Sequence, residues 1–308
     1  MERVFAISNV LRKMSAFTWL GLLIIIYLFA NTVLPVSNQT LGQLHLSESQ
    51  YRMVLLSIIM PYCIIWVTGF YAYITFNGYT RLIDDEREMP AFRQIGFGLQ
   101  TIAWGLAVPA VINTFLKALG AAHPNLQAIT GVISAYLTLA VSLIAFTFIG
   151  LGARYLSDLV RRRPSYLGTR LMVFGFIAIG ITYSYLTVHA QRHNGNPYHL
   201  SLFATLATIV VPYLYAWFLG FLACYELSVY ARHVKGVLYK NALNQLGFGI
   251  SLTVISSIFI QYITTIYANN LPNLAFIIFL LYIFLALEGI GFMLIATGAK
   301  RLKKIEEI

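Results

Sequence analysis

Apolar stretches of 20 or more residues alternate along the chain with short polar segments. A stretch of about 20 apolar residues crosses a bilayer as a helix, and only helices and closed barrels satisfy their backbones in lipid. The pattern predicts an all-α polytopic membrane protein with eight transmembrane helices, over 16–36, 52–77, 91–117, 126–153, 168–190, 200–228, 241–268 and 272–299. Several exceed the length needed to cross, so they tilt or project beyond the membrane. Residues 1–13 predict a short helix on the cytoplasmic surface. The first apolar run, Ala16 to Val36, is too long for a signal-peptide core and lacks a small-residue cleavage site. It reads as an uncleaved first span.

The pattern recurs. Residues 61–98 align without a gap on 212–249 at an offset of 151, and 13 of the 38 positions are identical. The last span of each half repeats as well, at an offset that drifts to 146: Gly152-Ala153-Arg154 returns as Gly298-Ala299-Lys300. The organisation expected is a four-helix repeat over 1–160, a basic cytoplasmic linker over 161–167, and a second repeat over 168–308. Four spans per copy is an even number, so the copies enter the membrane in parallel orientation. Their axis is then a pseudo-two-fold along the membrane normal.

Composition strengthens this picture. The chain is 59% hydrophobic and 10% charged, against roughly 25% charged in soluble domains. Its net charge of +10 raises the question of nucleic acid, but placement answers it. With the predicted spans, 18 of the 21 basic residues fall on one side, leaving Arg52, Lys117 and Arg192 on the other. That is a positive-inside distribution. It places both termini in the cytoplasm and directs the charge to anionic lipids of the inner face, with no nucleic-acid partner. Cys63 and Cys224 are not repeat equivalents and read as small buried hydrophobes.

The duplicated motifs supply the candidate site. PYxxxWxxGFxA places Pro61, Tyr62 and Trp66 on the second span, and Pro212, Tyr213 and Trp217 on the sixth. Proline within a span removes a backbone hydrogen bond and kinks the helix. The kinks either shape the packing or line a cavity between the repeats. QxGFG places Gln94, Gly96 and Gly98, and Gln245, Gly247 and Gly249, at the cytoplasmic start of spans three and seven. Such glycines let helices touch; amides at a helix start can also hold an anion. The two glutamines are candidates for a bond across the interface. Glu288 is the one charge well inside an apolar run, and its repeat counterpart is Ser142. An intramembrane carboxyl is costly and is usually functional or paired. Acidic Asp84, Asp85, Glu86 and Glu88 follow the second span, where the equivalent loop carries Arg232, His233, Lys235 and Lys240, so loops of opposite sign can meet beneath the bundle.

No Walker, HExxH or Ser-His-Asp pattern is present, and neither a catalytic set, a metal site nor a cofactor is indicated. Three readings follow: a small permease with its site between the repeats, a non-catalytic membrane subunit or scaffold in a larger complex or homo-oligomer, and an intramembrane enzyme acting on lipid or quinone.

Overall fold

The computed structural model of the chain describes residues 2–34, 47–123, 126–160, 166–194, 200–267 and 274–306. The fold is 93% helix, with no strand among the described residues. The helices are α1 (Glu2–Val33), α2 (Glu48–Thr80), α3 (Met89–Ala122), α4 (Gln127–Val160), α5 (Tyr166–Asn194), α6 (Leu202–His233), α7 (Val237–Tyr267) and α8 (Leu274–Glu306). The basic linker over 161–165 lies outside the described residues.

Among the described residues, seven helices are long and apolar enough to cross a membrane: α1 to α4 and α6 to α8. α5 covers the predicted span 168–190. The short surface helix expected over 1–13 is instead continuous with the first span, since α1 runs unbroken from Glu2. Large apolar side chains such as Phe29, Met53, Ile64, Phe203 and Phe276 stand exposed along the outside. So much exposed apolar surface on apolar helices belongs in lipid, and the chain is a multi-pass membrane protein.

Local signals explain several helix ends. Ser47 caps α2: its hydroxyl accepts the Gln50 N–H, while the Gln50 amide oxygen accepts the Ser47 N–H. The turn from α6 to α7 passes through Gly236 at φ 104°, a conformation that side chains disfavour. The two prolines act differently. Pro61 sits inside the α-helical α2, whereas Pro212 follows a π-turn at Leu206–Val210 that widens α6 just before it. A proline has no N–H to return to the preceding turn, and a π-turn is one way the backbone absorbs that loss.

The closest packing is between α3 and α4 and between α7 and α8, followed by α4 with α6 and α2 with α8. α1 lies against α2 and α3 as α5 lies against α6 and α7. Glycines set these approaches. A Cβ at Gly98 would lie 2.6 Å from the Ala145 carbonyl oxygen, and one at Gly249 would lie 2.7 Å from that of Gly291. Gly152 faces the Ala91 carbonyl at 2.6 Å, and Gly298 faces that of Ala242 at 2.9 Å. In lipid, such close backbone contact is the main source of helix association.

Candidate functional site

The two tryptophans of the duplicated motif do not share a cavity. Trp66 is fully buried among α1, α2 and α3, with the Tyr27 ring centroid 4.8 Å away. Trp217 is fully buried among α5, α6 and α7, between Tyr183 at 5.2 Å and Tyr213 at 5.6 Å. Each lies in its own set of helices. They also differ chemically. The Trp217 indole N–H donates to Ser257 Oγ at 3.4 Å, while the Trp66 N–H has no hydrogen-bond partner among the described residues. Ser257 corresponds to Leu106, which explains the difference.

Between the helix sets, aromatic side chains seat on the motif glycines. Phe292 of α8 lies 3.3 Å from where a Gly69 Cβ would stand on α2, and Phe146 of α4 lies 3.1 Å from that of Gly220 on α6. Tyrosines tie both ends. At one end, the Tyr136 hydroxyl of α4 donates to Thr208 Oγ1 of α6 at 2.5 Å, and Tyr282 of α8 donates to the Ser57 carbonyl of α2 at 2.9 Å. At the other, the Tyr79 and Tyr239 hydroxyls meet at 3.0 Å, and Tyr230 donates to Glu88. Each contact of one half maps onto its counterpart in the other at the offsets of the sequence self-alignment, 151 or 146 positions.

Glu288 is 7% exposed on α8, at the α2 contact, within electrostatic reach of the Tyr62 phenol. No described side chain forms an ion pair or hydrogen bond with its carboxyl. Glu288 and Tyr62, with adjacent Pro61, are therefore the part of the predicted site that the fold brings together. The equivalent contact between α4 and α6 has Ser142, which bonds its own helix at Thr138, and buried Tyr213, beside Pro212. A second buried carboxyl, Glu226, accepts a 2.5 Å hydrogen bond from Ser157, the two being 2% and 0% exposed.

The QxGFG glycines are packing residues. Gly96 and Gly247 face the preceding helix, where an added Cβ would stand 3.5 Å from Phe76 and 3.6 Å from Leu227, and Gly98 and Gly249 face the following one. Because α3 begins at Met89 and α7 at Val237, these residues lie beyond the first turn, whose four amides alone are free. Gln245 donates to Thr297 of its neighbour α8 at 2.7 Å, not to Gln94. The loops of opposite sign form no ion pair with each other among the described residues; their link is Tyr230 to Glu88. Cys63 and Cys224 are both free. Among the described residues, no three of His, Cys, Asp and Glu cluster as metal ligands.

A cavity of about 580 Å³ opens beside α2, lined by Phe70, Tyr73, Asn77, Gly78, Arg81, Gln100, Trp104 and Lys303. Sequence inspection passes over most of these residues. The signal lies in the repeat alignment, where Gly78 stands opposite Val229, Gln100 opposite Ser251 and Lys303 opposite Ser157. Compared with known proteins, the chain matches no family model, no curated protein and no solved structure.

Proposed function

We propose that the chain is a non-catalytic multi-pass membrane subunit or scaffold. It is built of two like-oriented four-helix repeats fixed to each other about an axis along the membrane normal, with both termini cytoplasmic. The observation that carries this is the paired set of contacts between the halves. Phe146 on Gly220 matches Phe292 on Gly69, and tyrosine hydrogen bonds close the same interface at both ends. A carrier working between the halves needs one end open at a time. Here buried apolar side chains run continuously from one half to the other.

Distance measurements between spin labels in lipid nanodiscs test this. Labels at Ile129 and Phe276 report one end, and labels at Tyr155 and Arg301 the other; all four positions are exposed. A fixed body gives one narrow distance at each end. Two populations that exchange oppositely at the two ends would refute it in favour of a permease. One observation favours that second reading: Glu288, buried at the contact between α2 and α8 without a hydrogen bond among the described residues.

A further inference from the structure

The cavity beside α2 changes character along its length. Its inner wall is aromatic, with the Phe70 and Trp104 rings edge-on at 4.7 Å. Eleven residues further along α2, or about 17 Å at ~1.5 Å per residue, stands Arg81, joined there by Lys303 of α8. Asn77 and Gln100 supply amides between these extremes, and no carboxylate is among the described residues that line the space. The volume suits a small-molecule site, for which roughly 300–1,000 Å³ is usual. An occupant that satisfies both ends is apolar at one end and anionic at the other.

The repeat-equivalent contact between α4 and α6 provides an internal comparison. Lys303 corresponds to Ser157, which is fully buried against Glu226, itself the counterpart of Thr75. There the equivalent position is closed by a carboxyl and a hydroxyl. Gly78 corresponds to Val229, and a Cβ at Gly78 would meet nothing within 4 Å. Glycine inside a helix costs about 1 kcal/mol relative to alanine, and here no neighbouring backbone or side chain demands it. The cavity differs from its repeat equivalent by one added cation, Lys303, an omitted side chain and the absence of the carboxyl. All three differences favour an anion with a bulky tail.

We propose that this cavity binds an amphiphile with a phosphate head and an apolar tail, supplied by the bilayer as an anionic phospholipid. Arg81 and Lys303 take the head, and Phe70, Tyr73 and Trp104 line the path of the tail. Arginine and lysine both serve as phosphate ligands, and the basic end of the bundle is where lipid heads lie under the proposed orientation. This inference does not depend on whether the halves move.

The test uses the full chain in nanodiscs of equal dioleoylphosphatidylglycerol and dioleoylphosphatidylcholine, with retained lipid counted by native mass spectrometry after release into detergent. Phosphatidylglycerol should be retained in preference to phosphatidylcholine. The double variant Arg81→Gln, Lys303→Gln should retain about tenfold less, as expected for losing charge-assisted contacts. Gly78→Phe should abolish retention by filling the space, and Arg232→Gln, the repeat counterpart of Arg81, should leave it unchanged. Equal retention of the two lipids would overturn the proposal, as would a double glutamine variant that retains lipid normally. If excess glycerol phosphate displaces the lipid completely, the occupant is a soluble phosphate and the lipid assignment fails.

Discussion

Gly96 and Gly98 are two residues apart on one helix, yet the structure assigns their replacement opposite consequences. Alanine at either position gains the same helix propensity, about 1 kcal/mol over glycine. At Gly96 the new methyl would meet nothing nearer than the Phe76 ring at 3.5 Å, an ordinary contact. At Gly98 it would stand 2.6 Å from the Ala145 carbonyl oxygen, 2.5 Å from the Ile149 side chain and 3.1 Å from the Ile149 nitrogen. The side chain can turn away, but the backbone of α4 cannot yield without moving the helix. Gly152 fixes the same crossing from the other side, 2.6 Å from the Ala91 carbonyl, so α3 and α4 must separate as a pair. A gap of roughly 0.5–1 Å forfeits a quarter to a half of each dispersion contact along it. Overpacking of this kind costs about 1–3 kcal/mol. Because the propensity gain cancels, Gly98→Ala should be less stable than Gly96→Ala by about 1–3 kcal/mol in reversible unfolding in bicelles. The same gap should separate Gly249→Ala from Gly247→Ala, since Gly249 faces the Gly291 carbonyl at 2.7 Å and the Ile295 nitrogen at 3.0 Å. Equal stability of Gly96→Ala and Gly98→Ala would refute the close-contact argument. A gap in one half alone would refute the mechanical equivalence of the repeats.

Other substitutions probe the polar groups. Glu288→Leu should be at least as stable as the parent, because it removes a buried polar group and no hydrogen bond among the described residues; a clear loss of stability would give Glu288 a structural partner. Ser157→Ala should destabilise by about 1 kcal/mol, because it removes one hydrogen bond to buried Glu226; an unchanged unfolding midpoint would sink that assignment. Cysteines introduced at Ala121 should react with an impermeant reagent from outside intact cells, and those at Glu86 and Lys235 should not; the reverse pattern would invert the proposed orientation.

Helix positions were legible in the sequence because lipid enforces one solution for a long apolar run. The predicted spans coincide with helices, of which seven are long and apolar enough among the described residues to cross a membrane, with ends shifted by up to seven residues except in α1, which begins at Glu2. What the pattern could not supply was which helix each apolar face meets. Trp66 and Trp217 are identical in context, and identity suggested a shared cavity; the fold places each behind its own peripheral helix. Gly98 was legible as a packing residue, but its partner on α4 lies 47 positions away and is set by the crossing of two helices. The cavity escaped notice because it is made of ordinary residues, Asn77, Gln100 and Trp104, whose juxtaposition exists only in three dimensions.

The two halves keep apolar packing and diverge in polar chemistry, and the packing itself explains why. A glycine such as Gly249 touches backbone on its partner helix, so any side chain there must displace a whole helix. A polar group on the wall of a space has no such constraint. Thus Glu288 stands where the other half has Ser142, Glu226 where it has Thr75, Lys303 where it has Ser157, and Glu88 where it has Tyr239. Tyr230 illustrates the tolerance: its hydroxyl bonds the Glu88 carboxyl, while its counterpart Tyr79 bonds the Tyr239 phenol at the equivalent place. One geometry accepts two chemistries. The positions where the halves disagree in charge are therefore where function has had room to differ from the scaffold. The exchange from Ser157 to Lys303 borders a cavity large enough to hold a ligand.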